Sequence, residues 1–314
     1  MTSTTRRGGP VSGTHPGRLT RQERLEDLLA DTKRRVVSIR KTFVQQGHGA
    51  TTKPGPLHLF LAAHDERGLD AYLVVHAMAS ASAPWNCLME SGAWVNALGL
   101  DEHASPASAK TAVSKIMRRL EKRKLIIRER SQRRSDVVLL MEDGLGEPYQ
   151  PRSKDRPEDR WLQLPHAYWL EGHYKTLGLP AKVMLLIALS RPDGFQMPYH
   201  WGPDYYGVSF DSTKEGLREL RATGLLAVEP SWVKAPKSET GWTERLLYTL
   251  QGSFSTAERQ KAALFRSPSA GEVEGQPPNS GLLTPAVPLR PPTLDDFFAH
   301  PSDEDELMPQ AGPA

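Results

Sequence analysis

The order of predicted elements constrains this chain most, because it runs nearly twice. Between residues 56 and 143 the apolar positions recur at helical spacing three times, then give way to two β-rich runs. The helices are Leu69 to Ala81, Ser91 to Leu100, and a third that runs to about Arg123. Ser105-Pro106 opens that third helix as an N-cap with proline in the first helical position. Leu125 to Arg130 and Asp136 to Met141 flank a polar turn and predict a hairpin. After a polar stretch with three prolines, Trp161 to Pro165 reads as a short strand. Tyr168 to Leu177, Ala181 to Arg191, Trp201 to Val208 and Asp211 to Thr223 read as helices. Leu225 to Trp232 and Trp242 to Leu250 read as strands. Helices followed by a hairpin, twice over, predict a mostly α chain with small β-wings. The expectation is two winged helix-turn-helix modules, 56–143 and 161–251, joined by a flexible linker at 144–160.

The flanks differ in kind. Leu25, Leu28, Leu29, Val36, Val37 and Ile39 recur roughly at helical spacing and predict an N-terminal helix over 18–46. Residues 1–17 have no apolar period and read as a disordered arm. Residues 252–314 hold ten prolines and nine acids against four basic residues, and read as a disordered acidic tail. Within it Leu294, Phe297 and Phe298 stand at i, i+3 and i+4, a spacing that suits docking on a protein partner.

Charge is concentrated where the first module would meet DNA. The whole chain carries only +3. Ser105 to Ser135 holds eleven Lys or Arg against two acids, a local charge of +9. On a helical wheel of about 100° per residue, Val113, Ile116, Met117 and Leu120 share one face of the third helix. The other face carries Thr111, Ser114, Lys115, Arg118 and Lys122, with Ser108 and Arg119 at its margins. These side chains hydrogen-bond base edges or neutralise phosphate. Arg130, Arg133 and Arg134 extend the charge into the hairpin. The equivalent helix of the second module exposes Asp211, Ser212, Glu215, Arg218 and Glu219, whose acids repel phosphate. Its hairpin loop adds Lys234 and Lys237, so this module is expected to touch DNA weakly or to serve as a dimerisation surface.

The stretch Trp161-Leu-Gln-Leu-Pro-His-Ala-Tyr-Trp-Leu170, followed by Tyr174-Lys-Thr-Leu-Gly-Leu-Pro-Ala-Lys-Val-Met-Leu-Leu186, resembles the opening of winged-helix domains in plasmid replication initiators. Tyr206-Gly-Val-Ser209 and Leu220-Arg-Ala-Thr-Gly-Leu-Leu226 resemble their turn and the end of their recognition helix. The resemblance covers about ninety residues. It departs at Gly178, where a helix-capping Ser is usual, and in the acidic face. It implies binding to repeated or operator DNA sites. The sequence-level function is therefore sequence-specific binding of double-stranded DNA, leaning to a replication initiator of a plasmid or integrated element. A transcription regulator, and a protein-interaction scaffold whose second module dimerises, are the alternatives.

Signs of catalysis are sparse. There is no Gly-rich phosphate loop followed by Lys-Ser or Lys-Thr and no His-hydrophobic-His element. Tyr205-Tyr206 suggests a nucleophile, and His64-Asp-Glu-Arg67 a recombinase His-x-x-Arg, but the same spacing recurs at His15 to Arg18. The single Cys87 leaves no internal disulfide or multi-cysteine zinc site, and His166 and His173 flank Glu171 without a convincing third ligand. No enzyme activity, cofactor or metal is expected. The longest apolar run, Val183 to Leu189, is too short for a bilayer, and Met1 to Gly17 lacks the apolar core of a signal peptide. The expectation is a cytoplasmic, nucleoid-associated protein without a membrane partner.

Overall fold

A computed structural model describes residues 17–265, apart from residues 33, 48, 103, 132, 133, 154, 155 and 199. The side chains of residues 50, 130, 131, 134, 135 and 157 also lie outside the description. So do the expected arm through residue 16 and the docking trio Leu294, Phe297 and Phe298.

Helix α1, Arg21–Ala30, opens on a capping box: the Thr20 hydroxyl accepts from the Glu23 backbone N–H, and the Glu23 carboxylate accepts from the Thr20 N–H at 2.8 Å. It does not continue to residue 46 as the spacing predicts. Val36–Arg40 is a strand, β1. The cause is local: Val36, Val37 and Ile39 are β-branched and stiff at χ1, and they follow the polar break Asp31-Thr32. Short strands β2, Gln45–Gln46, and β3, Lys53–Pro54, pair next. Helices α2, Leu57–Ala62, and α3, Glu66–Met78, lead to strand β4, Asn86–Glu90, helix α4, Ser91–Ala97, and helix α5, Pro106–Lys122. Strands β5, Ile126–Ser131, and β6, Arg134–Leu139, close this half. Strand β4 joins them in a sheet ordered β4-β6-β5.

Strand β7, Trp161–Pro165, pairs with β1 rather than with its own half, antiparallel, with Val36 opposite Pro165 and Arg40 opposite Trp161. The helix expected at Tyr168 to Leu177 is two single turns, α6, Ala167–Leu170, and α7, His173–Thr176, parted by Gly172 in the left-handed region (φ 77°). Helices α8, Leu179–Leu189, α9, Trp201–Tyr206, and α10, Phe210–Ala222, precede the long hairpin of β8, Leu226–Lys234, and β9, Trp242–Leu250. Helix α11, Thr256–Leu264, comes last; its Ser255 N-cap and the fully buried Phe254 begin a docked helix where the sequence predicts disordered tail.

The expectation of a mostly α chain with small wings in two modules is corrected by this inventory. Among the described residues about 47% are helical and 20% lie in strands, distributed over four small sheets. The periodicity reading missed β1 to β4 because short strands of two to five residues leave little alternation to detect. One hydrophobic core runs from Leu25 through Trp94 and Trp169 to Phe254, with α1 against α6 and α2 against α8. The 144–160 segment is packed rather than flexible. Leu140 bridges Pro148, Tyr149 is buried, and Arg40 bonds Glu142 (2.7 Å), Asp159 (2.6 Å) and the Gln150 carbonyl (2.6 Å) in the interior. Burial works against the Arg40 charge, and the two carboxylates outweigh it and raise the guanidinium pKa.

Candidate nucleic-acid interface

Helix α5 is built to divide its faces. Ala109, Val113, Ile116, Met117 and Leu120 are buried against α3 and α4, which fixes the helix by its apolar stripe. The Ser105 hydroxyl accepts from the Ser108 N–H and caps the start. On the outer side Ser108, Thr111, Ser114, Lys115, Arg118 and Lys122 are all exposed, with Lys110 beside them. Lys110, Lys115, Arg118 and Lys122 make no ion pair among the described residues, so a run of about three turns presents four uncommitted cations. The acid of this helix, Glu121, is occupied by Arg128 and leaves the stripe without an opposing charge. The Thr111 hydroxyl donates to the Ala107 carbonyl (3.0 Å) and keeps a lone pair to offer outward.

Arg119 is differently placed. Its guanidinium forks onto Asp65, with Nη2 to Oδ1 at 2.6 Å and Nε to Oδ2 at 2.9 Å, and Arg123 adds a third bond at 2.6 Å. Asp65 is also the N-cap of α3, accepting from the Gly68 N–H. Burial raises the Asp65 carboxyl pKa, and the two arginines outweigh it and bring it below its ordinary value. Gly68 allows this arrangement, because a Cβ there would stand 2.4 Å from the carboxylate. Asp65 thus ties α5 to the start of α3. The His64-x-x-Arg67 spacing, set aside above as a recombinase signal, surrounds a helix cap.

Of the hairpin arginines, Arg130 and Arg134 have side chains outside the description, and Arg133 is wholly outside it. Lys234 and Lys237 are exposed on the β8–β9 hairpin, next to Trp232 and Trp242, which are 64% and 48% exposed. On α10 the outward residues are Asp211, Lys214, Glu215, Arg218 and Arg221. Ser212 is half-buried and caps with Ser209. Glu219 turns back instead: its Oε1 accepts from the Gly178 N–H at 2.7 Å, at the N-terminus of α8. That carboxylate serves the helix start where a capping Ser is missing.

The other flagged residues are structural. Tyr206 is buried; Tyr205 stacks edge-on with Trp201. Cys87 is buried on β4, and burial pushes its thiol up to about 12, far from reactivity. His173 bonds Glu171 (3.2 Å) and packs on Phe254, while His166 is buried near Trp169. Among the described residues no three His, Cys, Asp or Glu are grouped to hold a metal ion. A cleft of about 330 Å³ between α1, α3, α4 and α7 is lined by Arg21, Glu66, Asp70, Glu102 and Lys175, and its deepest acid, Asp70, is already bonded by Lys182 at 2.9 Å.

Sequence reasoning missed two signals. Lys110 is exposed on α5 and was left off the wheel, where it falls at the margin of the apolar face beside Met117. Asp65 claims Arg119 from 54 residues away, a distance no local pattern reports. Among the described residues no helix is long and apolar enough to cross a membrane. Comparison with protein-family models, with curated proteins and with solved structures finds no match to this chain.

Proposed function

We propose that this chain binds double-stranded DNA through the outer side of α5. The observation that carries the reading is the stripe of Lys115, Arg118 and Lys122, unpaired among the described residues, interleaved with Thr111 and Ser114, flanked by Lys110 and backed by a buried apolar face. A helix of seventeen residues held by its opposite face has the form that enters a major groove, with cations for phosphate and hydroxyls for base edges. The reading is of a binding protein, not an enzyme. Lys234 and Lys237 are auxiliary contacts in it, and Arg119 is a positioning residue rather than a reader.

Arg118→Ala and Lys115→Ala are each expected to weaken binding to the preferred duplex by about 1–3 kcal/mol with circular dichroism unchanged. Gel shifts on the purified variants check this, and unchanged affinity in both removes α5 as the reader. The role in the cell is proposed to be replication initiation on a plasmid or integrated element, a reading supported by the resemblance of 161–186 and 206–226. Footprinting across the neighbouring locus decides it. Several direct repeats support initiation, a single palindromic operator replaces it with transcription regulation, and no protected site replaces both with a scaffold.

A further inference from the structure

The β8–β9 hairpin is a ribbon of two strands of nine residues each, and no third strand joins it among the described residues. Phe195 bridges Tyr248 near its base. A ribbon of two strands has little stability of its own and gains from cover on a face. The register sets Pro230 opposite Leu246, Trp232 opposite Glu244 and Lys234 opposite Trp242. Opposite residues share a face, and alternate residues along a strand return to it. Pro230, Trp232, Lys234, Trp242, Glu244 and Leu246 therefore stand on one side of the ribbon, and all six are exposed. Trp232 is 64% exposed, Trp242 48% and Leu246 44%. On the other side the apolar members, Val233 and Leu247, are half-buried.

Exposed large apolar side chains gathered on one face mark a contact surface, and charge decides its occupant. Residues 226–250 hold Lys234, Lys237 and Arg245 against Glu229, Glu239 and Glu244. The hairpin is neutral and gives a polyanion little attraction. On the apolar face itself stand one cation, Lys234, and one acid, Glu244, and neither makes an ion pair among the described residues. In the register they occupy two corners of a rectangle whose other corners are Trp232 and Trp242. A two-fold axis along the Trp232–Trp242 diagonal lays each tryptophan on its own copy and each Lys234 on the partner's Glu244. A face with equal and opposite charges on either side of such a diagonal is complementary to itself.

We propose that this face of the hairpin pairs with the same face of a second copy of the chain, in a symmetric dimer. Trp232 and Trp242 supply the centre of the interface, and Lys234 with Glu244 fixes its register. Six side chains from each copy make a small contact, below about 1,200 Å² in total, the size that goes with weak and exchanging complexes. The face is separate from α5 and does not rest on the DNA reading. Lys234 engaged in the dimer is withheld from phosphate, which leaves Lys237 as the hairpin's contact to DNA.

The test uses the full chain without DNA, at low ionic strength, where the charge pairs are least screened. Sedimentation velocity from low to high micromolar concentration is expected to show wild type passing from monomer to dimer. Lys234→Glu sets acid against acid twice across the axis, and Glu244→Lys sets cation against cation twice. Each variant alone should therefore dimerise about tenfold more weakly than wild type. An equimolar mixture of the two restores both opposite-charge pairings and should dimerise as wild type does. Circular dichroism on each variant checks that the fold is kept. Trp232→Ser combined with Trp242→Ser removes the apolar centre and should leave a monomer at every concentration. A wild type that stays monomeric overturns the proposal, and so does a dimer that the charge reversals leave unchanged or a mixture that recovers nothing. If wild type stays monomeric and the tryptophan double variant loses affinity for a labelled duplex, the face is a nucleic-acid contact instead.

Discussion

Asp65 carries two jobs on one carboxylate, capping α3 and holding Arg119 and Arg123 from α5. Its side chain is 4% exposed and that of Arg123 is 10% exposed, so the pair is shielded from solvent, whereas Arg119 at 43% is screened and contributes less. Asp65→Asn keeps an oxygen for the cap and removes the charge. It should lower stability by about 2 kcal/mol, most of it from leaving Arg123 without a counter-charge. Gly68→Ala attacks the same spot from the other side, because its Cβ displaces a carboxylate that two arginines hold still. Urea denaturation of both single variants and the double checks this. The two losses should add to clearly more than the double variant shows, since each breaks the same contact; full additivity would mean that the clamp and the cap act separately.

At the level of elements, α8 and α10 show how one helix completes another. Gly178 offers α8 no capping side chain, and Glu219 on α10 reaches its N–H and places a negative charge at the positive end of the helix. Glu219→Ala should therefore destabilise by about 1 kcal/mol, with Glu219→Gln intermediate because the acceptor remains and the charge does not; equal stability of all three in urea titration would show that the bond carries no weight. The same contact explains what the sequence could and could not disclose. The two faces of α5 were legible because Val113, Ile116, Met117 and Leu120 recur within one helix and all are buried. Glu219 read as an outward acid because the wheel knows only its own helix. Val36 to Ile39 read as helix because two valines and an isoleucine fit either period over so short a run, and the partner that decides the matter, β7, lies about 125 residues on. Helix α11 was hidden by the prolines that follow it, which lowered the apparent order of the whole segment. Pairings between distant residues decided the cases of Glu219 and β1.

The molecule as a whole is joined by contacts that ignore the repeated element order. Lys182 on α8 is buried and bonds Glu66 at 2.7 Å and Asp70 at 2.9 Å on α3, and the ladder of β1 with β7 closes the same halves together. Unfolding of 17–265 should accordingly be one cooperative event, with tryptophan fluorescence and circular dichroism falling together, and two separated transitions would break the single-core description. Acid is the expected way to weaken it. His76 is fully buried beside Tyr72, and burial, then Arg152, Arg34 and Arg40, hold its pKa well below the ordinary value. His166 is brought down to about 4 by burial, then by Arg34 and Arg35. Both histidines fold neutral. Below an unfolded pKa of about 6.5 the unfolded chain takes up protons that the folded chain refuses, so stability is intact above that pH and falls as the pH drops toward 4. Each histidine contributes up to about 1.4 kcal/mol per pH unit in that window. Asp70, whose carboxyl burial raises against the pull of Lys182, opposes them below its raised pKa, while Asp65 and Asp159, both lowered, add their losses only nearer pH 3.8 and below. The fall that begins at about pH 6.5 is set by the histidines. Urea titrations at pH 7, 6 and 5 should show wild type losing stability and His166→Gln losing less of it over the same interval; a wild type equally stable at pH 7 and pH 5 would mean that the buried histidines reach solvent protons without unfolding.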